Sequence, residues 1–218
     1  MARCISKLVI AAALGMAAPC DVDLTSRGLP ACVQACEDWC WATVIGEFEE
    51  YYHASPLLRL GSMPGVTPKC RQDECKVVSS VMGTDCCQGE PGGCRSGKAP
   101  CGLPMLPENI TQELQRRIPS VGRWQYHAGI PAESAVAALL TAGHPIGRIN
   151  PGHISAIVGC RPGKTGQTEY RIVDSTMVDP QHGNWFANYT MMMELPFAPD
   201  LAVRGVIYAD GAHASIVI

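Results

Sequence analysis

The sequence predicts an α+β protein of two lobes, the first helical and the second rich in strands. Three observations point that way. Apolar residues recur at the spacing of one helix face early in the chain, as at Trp41, Val44, Ile45, Phe48 and Tyr52. From Pro145 onward the pattern changes to short β-branched runs, PIGRI, HISAIVGC, YRIVDS and VRGVIYA. Between them, CRQDECKVVSSVMGTDCCQGEPGGCRSGKAPCGL, from Cys70 to Leu103, holds six cysteines in a stretch dominated by Gly and Pro. Helices and strands that are segregated along the chain imply an α+β architecture.

Residues 1–18, MARCISKLVIAAALGMAA, place Arg3 and Lys7 ahead of an apolar run from Leu8 to Ala18 that ends in small residues. This is the layout of a secretory signal peptide, and the run is too short for a membrane span. Residues 19–29 then read as a connector. Export past the cytoplasmic thiol pool accounts for the 12 cysteines, most of which should pair in an oxidising, secreted or periplasmic setting. Loss of the signal removes Cys4 and leaves eleven of the 12, an odd number, so a monomer must keep at least one thiol unpaired. A net charge of −3 offers no basic field for nucleic acid or anionic lipid, which sets nucleic-acid binding aside.

The helical lobe is assigned to residues 30–118. Its first helix is expected to start at about Asp38, which suits an N-cap, with Glu47, Glu49 and Glu50 on the face away from the apolar stripe. Cys40 then falls in the first turn, where unpaired backbone N–H groups and the helix dipole favour negative charge. Glu74 to Met82 reads as a short helix stopped by Gly83, inside an insert held by disulfides; adjacent Cys86 and Cys87 are not expected to bond to each other. No CxxC pair with a matching partner occurs there, so no metal is expected. Glu108 to Ile118 and Pro131 to Leu140 read as further helices, the second with Pro131 in its first turn and Gly143 at its end. The β-rich lobe takes residues 119–218.

A cysteine nucleophile needs an imidazole beside it, a group to orient that imidazole, and donors for an oxyanion. Cys40 opens a helix. Gln34, six residues upstream, could aim its amide at the same substrate oxygen as the Cys40 backbone N–H. His153 begins the strand ISAIVGC and Asp174 ends the next one, so neighbouring strands could bring carboxylate to imidazole. Asp179 is the other candidate for the orienting carboxylate; Asp174 is favoured because Tyr170, Ile172 and Asp174 share one face of the strand, whereas Asp179 precedes Pro180 and suits a turn. Trp185 could shield the His153 and Asp174 pair, although an ordinary aromatic is the simpler reading, and Met191 to Met193 read as core filling.

Gln34, Cys40 and Trp41, followed by ATVIGEFEEYY, resemble the start of a papain-like cysteine peptidase, and GHISAIVG with YRIVDS is similar to the later β-rich half of that family. The closer likeness is to bacterial papain-like peptidases whose orienting residue is Asp and which often carry a segment like ECKVVSSVMGTDCC after the first helix. The resemblance spans roughly residues 30 to 190 in outline. It departs from papain in having Cys36 four residues before Cys40, in Asp38 and Trp39 where papain has Gly-Ser, and in showing no pro-region between the signal and Gln34. It implies a two-lobed papain-like fold and an exported cysteine-type hydrolase acting on protein or peptide substrates, with Cys40, His153, Asp174 and Gln34 as catalytic residues, no cofactor and a monomeric chain. The same site would serve an amidase, deamidase or transamidase. From a different class, a disulfide-stabilised binding or effector protein without activity is the rival reading, and it would have no reason to keep Cys40 reduced.

Overall fold

The computed structural model describes residues 20–36, 38–53, 70–87, 100–176, 184–193 and 202–210. It is a mixed α+β structure in which helices lie against an antiparallel sheet. Helix α1, Cys40–His53, is buried on every side from Cys40 to Phe48 and packs on α2 (Cys70–Met82), α3 (Pro107–Arg117) and the sheet. A helix apolar on more than one face belongs inside a protein. Its start is anchored by the fully buried Trp39, whose indole N–H donates to the Cys101 carbonyl at 2.9 Å.

Asp38 is not the N-cap expected of it. It is exposed with a left-handed φ of 28°, and the Trp39 carbonyl accepts the first helical bonds, from Ala42 and Thr43. Glu47 also departs from expectation. It is 1% exposed, because a loop and α2 cover the face that helical spacing alone marks as polar. Gly83, at φ 65°, follows the last residue of α2, and α3 lies within one residue of its expected bounds. Helix α4, Glu133–Thr141, begins after Ala132 as N-cap, so Pro131 stands outside the first turn; Gly143 follows it at φ 88°. Helix α5, Tyr189–Met193, buries Met192 and Met193 and leaves Met191 exposed.

Among the described residues seven strands form one sheet: β1 (Val22–Asp23), β2 (Arg123–Ala128), β3 (Ile146–Asn150), β4 (His153–Pro162), β5 (Thr168–Val173), β6 (Asn184–Asn188) and β7 (Gly205–Asp210). The order is β2-β7-β3-β4-β5-β6, and every pairing is antiparallel. The segment read as a connector contributes β1, which takes the edge of β4 beyond the end of β3 through Val22↔Cys160 and Asp23↔Gly159. Only glycine allows that approach: a Cβ at Gly159 would lie 2.5 Å from the Val22 carbonyl oxygen. A Cys20–Cys160 disulfide fastens the same edge. Strand β2, RWQYHA, is not among the strand runs expected from the sequence; it buries Trp124, which stacks on Phe48 at 5.9 Å to tie the sheet to α1.

Disulfides Cys75–Cys87 and Cys86–Cys101 staple α2 and the segment after it, and Cys86 and Cys87 bond to different partners as anticipated. Cys32 and Cys36 are half-cystines as well. Among the described residues the free cysteine is Cys40. No helix of the described residues is long and apolar enough to cross a membrane.

Candidate active site

Three of the candidate side chains, Cys40, His153 and Asp174, stand at the ends of elements. Cys40 is the first residue of α1, so its backbone N–H belongs to the first-turn donors that have no acceptor inside the helix. His153 is placed by a tight turn. Asn150 and His153 pair across β3 and β4, and Pro151-Gly152 closes the hairpin with Gly152 at φ 72°, the Pro-Gly order of a type II turn. Asp174 directly follows β5, the antiparallel neighbour of β4. Adjacent strand ends thus bring imidazole and carboxylate together, and α1 packs across β4 with Cys40 at its tip.

His153 Nε2 lies 2.9 Å from Asp174 Oδ1, and the ring shares a cleft with Cys40, whose side chain acts on it electrostatically. With Nε2 committed to Asp174, Nδ1 is the nitrogen left for sulfur. Burial works against a charged His153, whose side chain is 23% exposed. The hydrogen bond to Asp174 and the negative charges of Asp174 and Cys40 outweigh that burial and push its pKa up to about 9. Asp174 is the counterpart. Burial would raise its pKa, but the bond from His153, the imidazolium charge, and the Thr176 hydroxyl (2.7 Å) and N–H (3.0 Å) bonds to the same oxygen hold it below the usual carboxylate value. Arg148, buried on β3 and bonded to the Met192 carbonyl and Ser155, adds a cation that Asp174 faces; burial lowers its pKa and Asp174 opposes the shift.

Gln34 sits in an irregular loop and is held at both ends. Its backbone N–H donates to the Ser175 carbonyl at 2.8 Å, and its side-chain oxygen accepts the Ser175 hydroxyl at 3.0 Å. The amide oxygen is thereby committed, and the Nε2 hydrogens are the end left to donate outward. A cleft of about 320 Å³ opens beside Cys40 and His153; Trp41, Met105, Leu106, Ile110, Ile149 and Ile154 give it an apolar lining, with Asp38 and Arg204 also on it.

The structure pairs His153 with Asp174, places Cys40 and His153 on one cleft and ties Gln34 to the residue next to Asp174. Asp179 and the side chain of Trp185 lie outside the described residues. Among the described histidines not singled out, His144 is paired elsewhere, its Nδ1 2.9 Å from the Tyr52 hydroxyl. Sequence reasoning missed Ser175 and Thr176, which look like ordinary turn residues after a strand, and it missed the buried acids Glu47 and Glu74. Burial pushes the Glu47 carboxyl well above the ordinary value; the Cys32 N–H opposes this, and the charges of Glu74, Asp174 and Glu50 add to it. Among the described residues no group of three or more His, Cys, Asp or Glu is disposed to hold a metal ion.

No protein-family model and no curated protein matches the chain. A thiol, an imidazole raised to about 9 and a buried carboxylate are the groups a thiolate–imidazolium pair needs, and the backbone N–H at the start of α1 is a donor an oxyanion could use.

Proposed function

We propose that the chain is an exported papain-like cysteine hydrolase, with a helical and a β-rich lobe, that cleaves peptide bonds through an acyl-thioester. The observation that carries this is the His153–Asp174 pair on one cleft with Cys40, with Gln34 tied by Ser175 to the residue next to Asp174. Cys40 remaining unpaired among so many half-cystines favours an enzyme over a disulfide-stabilised binding protein.

The Cys40 sulfur attacks the carbonyl carbon of the scissile bond, forming a C–S bond, and the carbonyl oxygen takes the negative charge. Gln34 Nε2–H and the Cys40 N–H donate to that oxygen. As the tetrahedral centre collapses, the C–N bond breaks and the His153 imidazolium gives its proton to the departing amine. Neutral His153 then takes a proton from water, whose oxygen attacks the thioester; the C–S bond breaks, releasing the acid and restoring the Cys40 thiolate beside the imidazolium. Asp174 keeps Nε2–H oriented throughout, so the nitrogen that moves the proton always faces sulfur. An apolar side chain such as leucine, next to the scissile bond, fits the cleft lining. Disulfides and the N-terminal sequence pattern support an extracytoplasmic location.

The test is hydrolysis of labelled casein by the oxidatively folded protein. The proposal requires that iodoacetamide abolish turnover while modifying Cys40 alone, and that Cys40→Ala be inactive. Full turnover after Cys40 is alkylated would reject it.

A further inference from the structure

The loop that carries Gln34 has neither helix nor strand to satisfy its backbone, so its N–H groups need acceptors from elsewhere. Three such donors have acceptors from three separate parts of the fold. The Cys32 N–H donates to Glu47 Oε1 of α1 at 2.7 Å, the Gln34 N–H to the Ser175 carbonyl after β5 at 2.8 Å, and the Ala35 N–H to Glu74 Oε2 of α2 at 2.7 Å. Both carboxyl groups are 1% exposed. A buried carboxyl is costly to retain where an apolar side chain would fill the same space, and these two engage N–H groups that flank the Val33-Gln34 pair.

We propose that Glu47 and Glu74 are positioning residues: their carboxyl oxygens grip the loop on both sides of Gln34, and so fix where its amide meets the substrate oxyanion. The inference rests on the hydrolase reading and deepens it. Neither acid touches substrate. Their action passes through Gln34, whose flanking residues the two bonds fix while Ser175 holds Gln34 itself. A donor displaced by even about 1 Å can lose on the order of a hundredfold in rate. The same displacement leaves the sulfur of Cys40 where it was, because α1 is anchored separately through Trp39.

That separation supplies the experiment. Alkylation of Cys40 by iodoacetamide is a displacement at carbon that develops no oxyanion, whereas acylation by an N-acyl-leucine p-nitrophenyl ester does. Glu47→Met and Glu74→Met remove the acceptor and keep the volume. Each should lower kcat on the ester by about tenfold or more with KM little changed, while the Cys40 alkylation rate stays within about twofold of wild type. Glu47→Gln and Glu74→Gln retain an acceptor oxygen and should restore most of kcat. In a Gln34→Ala background the Met substitutions should add little further loss, since the residue they act through is gone. Where a Met variant does not fold, Glu47→Asp or Glu74→Asp, which draws the acceptor back by one methylene, carries the same expectation. Wild-type kcat in the Met or Asp variants, alkylation falling in step with kcat, or a full additional loss on Gln34→Ala would overturn the clamp. Turnover retained by Cys40→Ala would instead overturn the hydrolase reading itself, and the clamp with it.

Discussion

Asp174→Asn removes one charge from the site and leaves its shape. The asparagine oxygen can still accept from the Thr176 N–H and hydroxyl, which fix its orientation, and from His153 Nε2–H. What changes is the electrostatics of the imidazole. An ordinary histidine titrates at about 6.5, and His153 is pushed up to about 9, a difference that corresponds to about 3 kcal/mol in favour of the imidazolium in the folded protein. Because the folded pKa is the higher one, this stabilisation is complete below about pH 6.5 and is lost as the pH rises through about 9. Burial pulls the other way, and the hydrogen bond and charge of Asp174 are prominent among the contributions that outweigh it. With the charge gone, burial is opposed chiefly by Cys40, and His153 should titrate at least about one pH unit lower. The assay is NMR titration of the His153 Cε1–H, together with kcat/KM against pH on the ester substrate. Both the NMR midpoint and the alkaline limb, where the general acid is lost, should move to lower pH together. A midpoint unchanged in Asp174→Asn would refute the claim that this carboxylate holds the imidazole charged.

Two further substitutions probe the arrangement. Gln34→Ala should lower kcat by something on the order of a hundredfold with little effect on KM or on thermal stability, the usual scale for one oxyanion donor; an unchanged kcat would mean that its amide does not reach the substrate oxygen. Gly159→Ala places a Cβ 2.5 Å from the Val22 carbonyl oxygen and 3.2 Å from Asp23 Cα, so β1 must shift. It should cost about 1–3 kcal/mol by thermal denaturation while the His153 titration stays as it is; wild-type stability would show that β1 does not depend on this close approach.

The residues that meet in the site were legible where local position along an element determines their place. Cys40 at a helix start and His153 and Asp174 at strand ends follow from the helical stripe after Trp41 and the β-branched runs after Pro145. What was not legible depends on partners far away in the chain. Glu47 reads as a solvent-facing acid because periodicity assigns a face without saying what covers it, and what covers it is the loop at Cys32 together with α2. The two residues of β1 carry no strand signal of their own; their pairing needs the bare backbone of Gly159 and a disulfide to Cys160. Asp38 has the chemistry of an N-cap, yet the turn into Trp39 takes it to positive φ, where Asp is tolerated. In RWQYHA the alternation of Trp124 and Tyr126 with Gln125 and His127 was present, but it is short and half-polar, as suits a strand at the end of the sheet order.

The central claim is that Cys40 forms a covalent acyl intermediate. Mixing the folded protein with the N-acyl-leucine p-nitrophenyl ester, quenching in acid within the first turnover and measuring the intact mass tests it directly. The account predicts one added acyl group, mapped to Cys40, released by neutral hydroxylamine as a thioester is, and missing from Cys40→Ala. Ester turnover with no adduct at Cys40, or an adduct on another residue that persists in Cys40→Ala, would contradict it.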